Sequence, residues 1–104
     1  MKVVLNRAFG GFSVSRKCAE RMAELGHDGA KDALAGERFY SHFIEDNIAG
    51  RSDKILLQVI EELGAEANGD CASLGVVEIP DGVHAYIDDY DGIETVREHH
   101  ESWP

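Results

Sequence analysis

Cysteine is scarce in this chain, and basic residues are outnumbered. Cys18 and Cys71 are its two cysteines. They fall in no metal-type or redox-type spacing, which leaves neither a zinc module nor a CxxC couple to read. No apolar run approaches the ~20 residues that a membrane helix needs. The opening "MKVVLN" has an apolar part of three residues, too short for a secretory signal. Both thiols are therefore expected reduced, as small apolar residues of a cytoplasmic protein with no membrane attachment. Ten Lys and Arg stand against twenty Asp and Glu, a net charge of −10. Direct nucleic-acid binding needs a basic face, which such a balance opposes. The acidity suits a solvated surface, or the imitation of nucleic acid towards a DNA-binding partner.

Catalytic signatures are missing too. There is no nucleophile elbow and no HExxH. His99 and His100 are adjacent, so on a helix they point about 100° apart and do not form an i, i+4 metal pair. His27, His42 and His84 have no ligand spacing either. No catalytic residue, metal or cofactor is assigned on these grounds.

What is present describes one small folded domain over residues 1–104. The hydrophobic fraction is 43%, ordinary for a globular chain. "KVVLN" reads as a first strand. Ser13 or Ser15 can cap a helix whose apolar positions Val14, Cys18, Met22 and Leu25 recur at helical spacing, and Gly26 ends it. Residues 27–37 carry no firm signal, "RFYSHFI" has strand formers, and "DNIAG" reads as a loop. Ser52 then caps a second helix, Asp53 suits the positive end of its dipole, and Ile55, Leu56, Val59, Ile60, Leu63 and Ala67 form a broad stripe. "SLGVVEIP", Asp81-Gly82 and "VHAYIDDY" read as two strands joined by a tight hairpin. Asp91-Gly92-Ile93-Glu94 has the spacing of a capping box, opening a last helix that would bury Ile93, Val96, His100 and Trp103. The expected fold is α/β or α+β: a short mixed sheet with a β-hairpin and about three packed helices.

The stretch "NRAFGGFSVS", residues 6–15, carries the functional signal. A strand, two glycines and a helix start can present backbone N–H groups to an anion, because glycine permits positive φ and close approach. Ser13 and Ser15 add hydroxyls, and Arg7 can clamp a phosphate with two parallel bonds. The spacing is neither a Walker loop nor GxGxxG. Phe9 and Phe12 each belong in a core more often than in a stacking site, whereas an arginine at the end of an inner strand asks for a partner. The candidate ligand-binding residues are Asn6, Arg7, Gly10, Gly11 and Ser13 for the anion, Phe12 or Trp103 for stacking, and Arg51 just before the second helix.

The segments "KVVLNRAFGGFSVS", "LLQVIEELGAEANG", "VVEIPDGVHAYIDDYDG" and "REHHESW" together resemble a family of small phage-encoded proteins. At Ala8-Phe9 those proteins carry Cys-Tyr, so a phenol hydroxyl is lost here. The resemblance implies a counter-defence protein of the sequestin-like class, acting in the host bacterial cytoplasm. Such a protein would bind and sequester a small phosphorylated, nucleotide-like ligand, in a pocket where the first strand meets the first helix. A homo-oligomer is expected, since one small domain has little room for an enclosed cleft. Two other readings stand beside it: an acidic interaction protein or nucleic-acid mimic inhibiting a host protein, and an enzyme cleaving a nucleotide signal.

Overall fold

A computed structural model describes residues 1–36, 43–45, 47–82 and 84–98. Strand β1 (Lys2–Asn6) leads into helices α1 (Arg16–Glu24) and α2 (Asp28–Ala35), the short α3 (Ile48–Arg51) and α4 (Lys54–Leu63). A 3₁₀ turn, Gly64–Ala67, precedes β2 (Leu74–Glu78), β3 (Ala85–Tyr90) and β4 (Ile93–Glu98). The chain is a single small α+β domain. β1 pairs antiparallel with β2 and β3 with β4, two separate pairs rather than one short mixed sheet.

The helical stripes carry the core. Ser15, not Ser13, caps α1, its Oγ accepting the Cys18 N–H at 3.0 Å, and Val14, Cys18 and Met22 are buried. Leu56, Val59, Ile60 and Ala67 pack against them with Val4 from β1. Burying such aliphatic groups contributes about 1.5–3 kcal/mol each. Asp53 rather than Ser52 is the α4 cap, its carboxylate accepting the Leu56 N–H; Ser52 instead closes α3 by donating to the Ile48 carbonyl. Among the described residues no helix is long and apolar enough to cross a membrane.

Several expectations give way. The "DNIAG" loop holds α3, because Asn47 caps it by accepting the Gly50 N–H at 2.7 Å. Residues without a firm signal form α2, capped unusually by His27, whose Nδ1 accepts the Ala30 N–H. Of the "RFYSHFI" strand only Phe43 and Ile44 lie among the described residues, and neither is in a strand. The hairpin turns at Asp91-Gly92, not Asp81-Gly82: β2 swings back to β1, and β3 folds onto β4. Asp91 and Gly92 have φ of 51° and 91°, the two positive values that a tight two-residue hairpin turn needs. The last helix is therefore replaced over residues 93–98 by a strand, in which Ile93, Thr95 and Val96 suit extended backbone.

Candidate functional site

β1 ends in the residues singled out from the sequence, and the fold brings most of them together around one buried ion pair. The parity of the β1–β2 ladder is set by its flanks, where the Ile79 N–H bonds the Met1 carbonyl and the Arg7 N–H bonds the Ser73 carbonyl. Hydrogen-bonded partners therefore alternate, and Val4 and Asn6 turn their backbone groups away from β2. On that outer edge the Asn6 N–H donates to Glu94 Oε1 at 2.8 Å, and Arg51 Nη1 reaches the Val4 carbonyl at 3.5 Å. Arg51 and Glu94 face each other with two parallel contacts, Nη1 to Oε1 and Nη2 to Oε2, the second at 2.8 Å. Their side chains are 0% and 3% exposed. The Arg51 guanidinium also lies 3.6 Å from the centre of the Phe12 ring, an added cation–π contact. This pair does for the β1 edge what a third strand would do, supplying an acceptor and a donor to backbone groups otherwise buried without partners.

The neighbouring expected contacts are committed in the same way. Asn6 is fully buried. Its Nδ2 donates to the Ala8 and Gly92 carbonyls, and its Oδ1 accepts the Ser73 N–H at 2.9 Å. Gly10 and Gly11 have φ of 116° and 94°, but their backbone lies against the chain itself. The Gly10 N–H points at the Asp91 carbonyl at 3.4 Å, and a Cβ at Gly92 would come 2.3 Å from the Gly11 nitrogen. The glycines thus let two turns stack. Ser13 Oγ donates to the Asp70 carbonyl. Phe12 is core at 8% exposure, while Phe9, also expected inside, is 66% exposed on the outside of the turn. Trp103 lies outside the described residues.

Arg7 is placed differently. Its guanidinium stem crosses β2 at Gly75, where a Cβ would meet Arg7 Nε at 3.0 Å. There it borders a groove of about 470 Å³, lined by Leu5, Val77 and Ile79 on one side and Ile93, Thr95 and Val96 of β4 on the other, with Glu94 at its floor. The volume falls in the range of small-molecule sites. Arg16, Arg21, Arg51 and Arg97 each bind a carboxylate, Glu20, Glu62, Glu94 and Asp88 respectively. The hydrogen bond and charge of Arg21 hold Glu62 down at about 2, and Asp88 raises Arg97 above its ordinary value. Arg7 has no such side-chain partner among the described residues.

The two cysteines, read alike from sequence, part company. Cys18 is buried, which pushes its thiol up to about 12, whereas Cys71 is exposed with φ of 62°. Among the described residues no three His, Cys, Asp or Glu side chains are grouped to hold a metal. Glu94 does not stand out in the sequence, where its spacing from Asp91 fits a helix capping box. Its one sequence signal is Arg51, which needs a buried carboxylate whose position only the tertiary fold sets. No family model, curated protein or solved structure matches this chain.

Proposed function

We propose that the protein binds a small anionic ligand with an apolar or aromatic body, a phosphorylated nucleotide-like molecule, in the groove between β1–β2 and β4. The observation that carries the reading is Arg7: a guanidinium without a carboxylate partner among the described residues, in a chain with twice as many acids as bases, at the rim of an apolar groove. The ring or base would lie against Leu5, Val77 and Ile93, and the anion would meet Arg7 with a planar two-point contact. The carboxylate in the lining, Glu94, is committed to Arg51 and the Asn6 N–H, which favours holding a ligand over transferring a proton. Sequestration of a nucleotide signal in a bacterial cytoplasm, the role implied by the resemblance to phage proteins, is the biological form of this reading.

The test is a thermal-shift screen against mononucleotides, dinucleotides and cyclic dinucleotides, followed by titration calorimetry. A ligand at 100 times its dissociation constant adds about 2.7 kcal/mol of stability. Arg7→Ala is expected to weaken binding by about one to two decades, equivalent to ~1.5–3 kcal/mol for a charge-assisted contact, with the apo-protein melting nearly unchanged. Arg7→Lys should recover part of the loss, since a point charge does not reproduce the planar fork. Normal binding by Arg7→Ala, or no melting shift with any anionic nucleotide, refutes the reading.

A further inference from the structure

The two edges of the β1–β2 pair are treated in opposite ways. On the β1 side, the fold buries a guanidinium and a carboxylate to satisfy the edge. On the β2 side, the alternation that turns Val4 and Asn6 outward also turns Leu74, Val76 and Glu78 outward. The Leu74 N–H is answered by Asn68 Oδ1 at 2.9 Å. The N–H groups of Val76 and Glu78 meet no acceptor among the described residues, and both residues are exposed, Val76 at 41%. Of the usual guards the strand carries one charge, Glu78 at its end. "LGVVE" has no lysine and no proline, and its pairing with β1 runs without a bulge.

We infer that β2 pairs antiparallel with β2 of a second copy about a two-fold axis at Val76, making a continuous four-stranded sheet. The occupant is a second copy because the strand is complementary to itself. Centred on Val76, each Val76 N–H meets the other copy's Val76 carbonyl, and each Glu78 N–H meets the other copy's Leu74 carbonyl. The Leu74 N–H, already bonded to Asn68, is not needed. This register also sets Glu78 against Leu74 rather than against a second Glu78, avoiding like charges face to face. Isologous two-fold contacts of this kind are the commonest route to a homodimer. A two-fold axis normal to the sheet leaves both grooves, with Val77 and Ile79 in their walls, opening on the same side. Two copies of charge −10 repel, so association should tighten as salt screens them.

Light scattering coupled to gel filtration tests this over a dilution series. The mass should rise with concentration from 11.4 kDa to twice that value, and the dimer should persist to lower concentration at higher salt. Hydrogen exchange at the Val76 and Glu78 amides should slow as concentration rises, while Val77, bonded within the β1–β2 pair, is protected throughout. Val76→Pro removes an N–H that β1 does not use, so the variant should keep its circular dichroism and remain at 11.4 kDa. Val76→Arg, which sets two cations together at the axis without altering the backbone, should also remain monomeric and decides the matter should the proline variant misfold. A wild-type mass of 11.4 kDa at every concentration, a folded Val76→Pro dimer, or Val76 exchange independent of concentration overturns the inference.

Discussion

Removing the charge on Glu94 asks how much one side chain holds. In Glu94→Gln the amide oxygen can still accept the Asn6 N–H, but the fully buried Arg51 guanidinium loses its counter-charge. Breaking one side of a buried ion pair costs about 3–5 kcal/mol, mostly from the charge left behind. Glu94→Ala additionally strands the Asn6 N–H, and a buried donor without an acceptor costs about 1–3 kcal/mol. The two losses overlap, so Gln should lie near the lower end of the range and Ala near or above its upper end. A small domain has about 5–15 kcal/mol to lose in all. At roughly 4–8 °C per kcal/mol, the Gln variant should melt about 12 °C or more below the wild type. The double variant Arg51→Met, Glu94→Leu removes the stranded charge but leaves Val4 and Asn6 with unanswered backbone groups. It should therefore regain part of the loss and remain about 1–3 kcal/mol below the wild type. Urea titrations followed by far-UV circular dichroism give all three values. A loss under ~1 kcal/mol for Glu94→Gln would falsify the view that the pair holds the β1 edge.

Leu56→Ala should destabilise by about 2–5 kcal/mol in the same assay, because the side chain is fully buried between α1 and β1; a loss below ~0.5 kcal/mol means that the stripe is not core. Burial raises the Cys18 thiol from 9.0 to about 12, so above pH 9 the unfolded chain gives up a proton that the folded chain retains. Stability from this group is full below pH 9 and falls as pH rises towards 12. Cys18→Ala, whatever its packing loss, should show a flatter alkaline limb in pH-dependent melts, and an equally steep limb contradicts the assignment.

The helices were legible through their periodicity. Leu56, Val59 and Ile60 recur at helical spacing and fold so, although the cap is Asp53 and not the expected Ser52. The hairpin was misplaced because two Asp-Gly pairs flank the β3 segment, at 81–82 and 91–92, and local turn chemistry does not rank them. The pairing of β2 with β1 ranks them, and that contact spans most of the chain. Ile93, Val96 and His100 mimic a helical stripe, yet Ile93, Thr95 and Val96 are β-branched, and the positive φ of Gly92 commits them to a return strand. At the site, Asn6, Phe12 and Arg51 are expected from sequence as ligand contacts, and the fold sets all three in an internal network around Glu94. Their partners Glu94, Ser73 and Gly92 are remote in sequence, so polar groups that read as ligand contacts turn out to bind one another. Arg7 stands apart because its stem lies across Gly75, where no side chain intervenes.

The register that joins Lys2 to Glu78 and Asn6 to Leu74 also sets the order in which the chain can acquire its structure. α1, α2 and α4 close short loops and need little besides neighbouring residues. β1 precedes the other described elements and has no partner until the segment at 74–78 exists, and its other edge stays open until Glu94 arrives. Closure over such separations is entropically slow. The helical part should therefore organise early, with "VVL" exposed as an unpaired apolar strand until residues 74–94 are synthesised. Refolding experiments should see fast helix signals followed by a slower phase that reports β1 docking, and truncation before Glu94 should leave that slow phase incomplete.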